Sequence, residues 1–131
     1  MAQLGTERST IGPMLIALLK ERNLTLTGDE HPERGYFYRS DHFSFAKVGV
    51  PAISIGEPKH FTGANAAELL KKQEAFNDTK YHQPSDQYDP TWDFAGGVND
   101  MRVLAQLGWR IAQQKEMPKY NAGDQFGEIR K

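Results

Sequence analysis

The feature that most restricts the fold of this 131-residue sequence is its shortage of β-strands. Residues 24–27 alternate apolar and polar side chains like a short strand, and residues 50–55 form a short apolar, β-branched run. The second run is typical of a strand buried on both faces of a mostly parallel sheet. Because two strands are too few for an independent α/β sheet, we expect the other strands to come from another chain or a missing N-terminal half.

Helical patterns are clearer than strand patterns. They cover residues 10–22, 41–48, 65–76 and 95–115. Ser9 or Thr10 is the predicted cap of the first helix and Asn23 its stop, while Gly49 ends the second. One face of the last helix is predicted to be buried, with Leu104 and Ile111 widening a stripe made of Val98, Met101, Ala105, Gly108 and Ala112. A helix that leads into a strand after so short a turn favours an α/β architecture.

The remaining segments are polar and irregular. Residues 1–8 are expected to be loose, and loops are predicted over residues 28–40, 56–63 and 77–90. Residues 118–131 are predicted to be a polar tail that either drapes over the domain or is disordered.

Composition excludes several functional classes. The formal net charge of -1 offers no basic field for nucleic acid, and the absence of cysteine excludes disulfides and thiolate metal sites. The sequence has no HExxH zinc helix, no G-x-S-x-G elbow and no Walker loop. No run approaches the roughly 20 apolar residues of a membrane span, and the first residues lack a signal-peptide pattern. We therefore expect a cytoplasmic protein or a targeting segment outside this chain.

Two polar segments contain the residue types that α/β enzymes use in their sites. They are Arg39, Ser40, Asp41 and His42, just ahead of the run at 50–55, and Tyr81, His82 and Asp86 in a later loop. Taken alone, these residues leave simpler interpretations open. Ser40 and Asp41 equally suit a helix cap, Arg39 could pair with a nearby acid, and His82 could be a solvated loop histidine.

Both segments belong to a longer ordered pattern. Residues 39–52 read R-S-D-H-x-x-F-x-x-x-G-V-P-A, Y-H-x-x-x-D follows at 81–86, and D-P…D…G-x-V leads into the last helix. This order and spacing resembles family 28 of the metallopeptidases over roughly residues 32–115. That family includes aminopeptidases, glutamate carboxypeptidases and glutaminyl cyclases. The resemblance implies an α/β three-layer sandwich of the zinc-exopeptidase type, with a mostly parallel sheet flanked by helices, of which residues 1–131 would be the incomplete C-terminal portion.

The resemblance also implies roles for individual residues. The complete enzyme would bind two zinc ions and remove N-terminal residues from peptide substrates with a water that the metals activate. His82 matches a terminal zinc ligand, and Tyr81 matches the hydroxyl donor to the developing oxyanion. Asp86 or Asp41 would accept a hydrogen bond from the second imidazole nitrogen. The substrate pocket, or the support of the ligands, would be provided by Arg39, Ser40, Asp41 and His42.

The sequence departs from the family pattern on its N-terminal side. The other zinc ligands and the glutamate base have no counterpart here, whereas a catalytic zinc needs about three protein ligands. We therefore expect an inactive fragment that binds no zinc tightly and that dimerises, swaps elements or aggregates through its apolar edges. A non-catalytic binding module, a glutaminyl-cyclase-like enzyme and a glutamate-carboxypeptidase-like enzyme are the alternatives. Because family members are often exported, the resemblance implies a periplasmic or secreted location.

Overall fold

A computed structural model of the chain describes residues 2–29, 32–56, 61 and 63–129. Its helices and strands are β1 (Ala2–Leu4), α1 (Ile11–Glu21), α2 (His42–Ala46), β2 (Ser54–Gly56), α3 (Ala66–Thr79) and α4 (Ala95–Ala112). Short 3-10 helices lie at Thr6–Arg8, Pro32–Arg34 and Tyr36–Arg39. Most of the loop predicted at 56–63, residues 30 and 31 of the loop at 28–40 and the last two residues of the tail lie outside the described residues.

The chain divides into two compact units. The first consists of Met1–Glu57 and Gly96–Lys131, and the second of Pro58–Ala95. The segment with Arg39 to His42 therefore belongs to the first unit, whereas Tyr81, His82 and Asp86 belong to the second.

The first predicted helix is confirmed as α1, with local signals at both of its ends. The Ser9 hydroxyl accepts a hydrogen bond from the Ile11 amide at 3.3 Å, which satisfies one of the free amides of the first turn. Asn23 adopts a left-handed conformation at φ 54, and the next amide, that of Leu24, bonds back to the Leu19 carbonyl at 2.8 Å. This is the geometry by which an asparagine ends a helix.

The main core of the first unit lies between α1 and α4. Its buried members are Ile11, Leu15, Leu18, Leu19, Val103 and Leu107. Each such side chain contributes about 1.5–3 kcal/mol when fully buried. Leu24 and Leu26 pack against this cluster, and only Thr27 of the predicted strand at 24–27 lies in an isolated bridge. The strand prediction is therefore wrong there, because the alternating leucines contact the helical core without joining a ladder.

The last predicted helix is confirmed as α4. Of its predicted buried face, Ile111 packs against the core cluster, but the main stripe is wrong. Val98 and Met101 are 47% and 61% exposed, whereas Val103 and Leu107 are buried. The helix has two apolar stripes about half a turn of rotation apart, and α1 packs against the one that contains Val103.

The structure pairs β1 with β2 as an antiparallel two-stranded sheet, in which Gln3 lies opposite Ile55. Residues 2–4 are thus ordered, contrary to the loose N-terminus that we predicted. The run at 50–55 is a strand only from Ser54 onwards and is half-buried, so burial on both faces is not observed. In the described part of the chain, the structure shows a helix-rich α/β arrangement and no parallel sheet.

A second core cluster joins the C-terminal tail to the segment around α2. Phe37, Ala46 and Phe126 are its buried members, and Phe43 and Tyr120 pack against them. The helix predicted at 41–48 is confirmed as α2. It is followed by Gly49 at φ 76, a conformation that glycine adopts without the steric cost of a side chain. The tail drapes over the first unit through residues 118–129.

The second unit contains α3 and the loop that follows it. The helix predicted at 65–76 is confirmed and extends to Thr79, but none of its residues is buried. Leu69 and Leu70 are 41% and 38% exposed. In the described part of the chain, no helix is both long enough and apolar enough to cross a membrane.

Candidate functional site

The segment at residues 39–42 joins a 3-10 helix to α2, since Arg39 is the last residue of the first and His42 the first residue of the second. The 3-10 helix Tyr36–Arg39 is followed by Ser40, whose hydroxyl donates to the Tyr36 carbonyl at 3.3 Å. Asp41 occupies the N-cap position of α2 but makes no side-chain cap hydrogen bond. Arg39 and Asp41 are exposed. The charged groups of this segment are therefore accessible, and the simple cap interpretation does not hold for Asp41.

His42 is the buried member of the segment. Its side chain packs edge-on against Phe37, with 4.7 Å between ring centroids and an interplanar angle of 74°. Both ring nitrogens are buried and have no hydrogen-bond partner among the described residues. Burial lowers the pKa of His42, and the nearby charge of Asp41 partly opposes this shift. The neutral imidazole is thus the form that the structure favours.

The loop with Tyr81 and His82 follows directly from the end of α3. The amides of Lys80 and Tyr81 both bond to the Phe76 carbonyl, at 2.8 and 3.0 Å. Further along, the Ser85 hydroxyl donates to the Thr79 carbonyl at 3.1 Å and closes the loop back onto the helix. The turn that carries the candidate ligand is therefore defined by short-range hydrogen bonds.

His82 has an unusual backbone for a residue other than glycine. Its φ is 59, in the left-handed region, where side chains are sterically disfavoured. The imidazole stacks on the Tyr81 ring at 3.9 Å and 22°, and Tyr81 is 53% exposed. Neither imidazole nitrogen bonds to any described residue, and the Asp86 carboxylate does not accept a hydrogen bond from it. The turn presents an exposed imidazole whose nitrogens are both available.

These predicted residues fall into two groups. Tyr81, His82 and Asp86 share one exposed loop of the second unit, and the segment at 39–42 is in the first. In the part of the chain that the structure describes, no three His, Asp or Glu side chains are grouped as a metal site requires. His82 is therefore a single candidate ligand.

The family model for Peptidase family M28 matches residues 2–105, which is most of the chain. The chain belongs to peptidase family M28. The resemblance seen in the motifs is thereby confirmed, and both candidate segments lie inside the match. No curated protein and no solved structure matches the chain significantly.

Membership of family M28 makes the chain part of a metallopeptidase, a hydrolase whose relatives are typically zinc dependent. The match ends within α4, so the tail at 118–129 lies beyond the segment shared with the family model.

Sequence reasoning missed a group of residues beside the 39–42 segment. Arg8 pairs with Asp124 at 2.8 Å, and Phe126 stacks against Phe37 with 5.9 Å between ring centroids. A cleft of about 460 Å³ is bordered by Arg8, Phe37 and Tyr38. The available signal was Phe126, which with Ile129 is one of two large aliphatic or phenyl side chains in a mostly polar tail.

Proposed function

We propose that this chain is part of a zinc-dependent aminopeptidase that removes N-terminal residues from peptides, with His82 as a zinc ligand. Membership of family M28 supports the metallopeptidase class. The observation that carries the assignment of the residue is the left-handed conformation of His82 at φ 59 with an unbonded, exposed imidazole. Disfavoured backbone conformations of this kind are concentrated at functional sites.

The chemistry of His82 fits a zinc ion. Zinc is commonly bound by a neutral imidazole nitrogen, and both nitrogens of His82 are available. Two zinc ions would supply Lewis-acid polarisation of the scissile carbonyl and a water of lowered pKa. Since the described residues contain no group of three ligands, we propose that the other ligands come from polypeptide outside this chain.

Tyr81 is the proposed donor to the developing oxyanion. Its hydroxyl belongs to a half-exposed side chain directly beside His82, with the two rings stacked. A hydrogen bond that forms to charge developing in the transition state is worth about 2.7–4 kcal/mol. Asp86, in the same loop, is the candidate acceptor for the second imidazole nitrogen, where it would fix the tautomer.

The segment at residues 39–42 is the proposed substrate-facing part of the first unit. Arg39 and Asp41 are exposed and carry opposite charges, while His42 is buried and packs against Phe37. We propose that Arg39 and Asp41 contact the peptide substrate, and that Ser40 and His42 fix the backbone of the segment.

The test compares three variants of the complete gene product. His82→Ala should lose bound zinc and reduce hydrolysis of aminoacyl-nitroanilides by at least about 100-fold. Tyr81→Phe should retain zinc and reduce kcat by about 100- to 1,000-fold. Gln83→Ala is the matched control, because Gln83 is exposed in the same turn, and it should leave zinc content and activity unchanged. Wild-type zinc content and activity in His82→Ala would refute the proposal.

A second measurement concerns the chain by itself. We propose that residues 1–131 alone bind no zinc tightly and hydrolyse no peptide, since a single imidazole is far short of a catalytic zinc site. Isothermal titration of the purified chain with zinc should show only weak binding. Tight binding of two zinc ions per chain would contradict this part of the proposal.

A further inference from the structure

The C-terminal tail is fixed to the N-terminal segment by backbone hydrogen bonds. The Thr10 amide donates to the Lys119 carbonyl and the Asn121 amide to the Arg8 carbonyl, each at 2.9 Å. Two side chains add to this pairing, because the Thr10 hydroxyl accepts from the Lys119 amide at 3.0 Å and the Asn121 side chain donates to the Glu7 carbonyl at 2.8 Å. The tail is thus held in register along residues 7–10.

After these paired residues, two side chains of the tail, Asp124 and Phe126, contact Arg8. The Arg8 Nε lies 2.8 Å from the Asp124 carboxylate, and both side chains are largely buried, at 18% and 11% exposure. The Arg8 guanidinium also lies 4.7 Å from the Phe37 ring centroid and 4.8 Å from that of Phe126. The Arg8 guanidinium thus joins the tail to the 3-10 helix that contains Phe37 and ends at Arg39.

Phe126 contacts residues that flank the 39–42 segment on both sides. Its ring stacks on Phe37, two residues before Arg39, and meets Phe43 edge-on with 5.9 Å between centroids. Phe37 is in turn the surface on which His42 packs. The backbone between Phe37 and Phe43 is therefore anchored on one buried aromatic side chain of the tail.

We propose that the tail, residues 118–129, is a positioning element for the segment at 39–42, and that it acts through Phe126 on Phe37 and Phe43. The inference rests on the proposed function in that it assigns this segment to the peptidase site. Phe126, Asp124 and Arg8 are positioning residues that touch no substrate. This element lies outside residues 2–105, the part of the chain that the family model matches.

The first test measures whether the tail keeps His42 covered. Diethylpyrocarbonate modifies accessible imidazoles, and peptide mass spectrometry would follow His42 with the exposed His82 as the internal reference in the metal-free chain. Phe126→Ala should raise the rate at which the reagent modifies His42, relative to the rate for His82, by about tenfold or more. Phe126→Leu, which keeps a large apolar side chain at this position, should raise this relative rate by a smaller factor. Ile129→Ala is the control, because Ile129 is in the tail and 51% exposed.

The outcomes separate the two proposals. The positioning role would be overturned if His42 were modified at the same rate in wild type and in both Phe126 variants. It would also be overturned if Ile129→Ala raised that rate as much as the Phe126 variants do. In the complete zinc-loaded enzyme, Phe126→Leu should lower kcat/KM by about tenfold at unchanged zinc content. Unchanged kcat and KM there would also overturn it. A wild-type enzyme without peptidase activity would instead refute the proposed function, and His42 protection would then decide the role of the tail.

Discussion

Replacement of His42 by leucine should stabilise the first unit. Both imidazole nitrogens are buried without partners among the described residues, and an unsatisfied buried polar group costs about 1–3 kcal/mol. Leucine is similar in volume and has no polar atom, so it should fill the space beside Phe37 without that cost. We expect the free energy of unfolding at pH 8 to rise by about 1 kcal/mol.

The same substitution should remove one component of the pH dependence of stability. Burial lowers the pKa of His42 below the ordinary value of a histidine, and the charge of Asp41 partly opposes this shift. Between the folded and unfolded pKa values, the unfolded chain binds more protons at this group, so stability rises with pH through that window. The contribution of His42 is complete above the unfolded pKa and is lost as the pH falls through the folded pKa. Acidification from pH 8 to 5 should therefore destabilise wild type more than His42→Leu.

The assay is guanidinium denaturation followed by circular dichroism at both pH values. The other histidines contribute equally to wild type and variant, so the difference between the two pH dependences isolates His42. His82→Asn is the control, because His82 is exposed and asparagine tolerates its left-handed backbone. A His42→Leu protein with a lower free energy of unfolding than wild type at pH 8 would refute this reasoning. An unchanged pH dependence of that free energy would refute it as well.

Two matched pairs test the packing of the helices by the same denaturation assay. Gly12→Ala should cost about 1–3 kcal/mol, because a Cβ there would approach the Thr6 carbonyl oxygen impossibly closely, whereas Gly108→Ala in open space should gain about 0.5–1 kcal/mol. Leu15→Ala should cost about 2–5 kcal/mol at a fully buried position, and Ile16→Ala, at 53% exposure, about 0.5 kcal/mol or less. Equal effects within either pair would contradict the described core.

The helices could be predicted because their signals are local. Ser9, Asn23 and Gly49 act on the turns that contain them, and each is found in the predicted place. The stripe of α1 is single, so its buried side follows from spacing alone. These features need no knowledge of distant residues.

The remaining parts of the fold depend on contacts between distant residues. Residues 2–4 carry no strand pattern, and they are ordered because β2, about 50 residues away, offers them a partner edge. The choice between the two stripes of α4 depends on where α1 packs, and the order of the tail depends on Phe126 reaching Phe37. Sequence alone could place these residues on an element but could not choose their partners.

The candidate site shows the same division. Motifs identified Tyr81 and His82 by type and spacing, but the backbone conformation of His82 and the orphaned nitrogens of His42 are visible only in three dimensions. The predicted hydrogen bond from His82 to Asp86 depends on side-chain rotation in an exposed loop, which spacing does not fix.

The two units hold their candidate residues by different physical means. In the first, the segment at 39–42 is anchored on buried aromatic side chains and is ordered before any ligand arrives. In the second, no described residue of 61–95 is buried, so the turn with His82 depends on hydrogen bonds exposed to water and has little resistance to local opening. If a metal binds only the ordered form of this turn, its binding free energy adds to the stability of the second unit, which has few buried contacts of its own. The proposed ligand His82 therefore belongs to the unit whose order the binding of a metal would increase most.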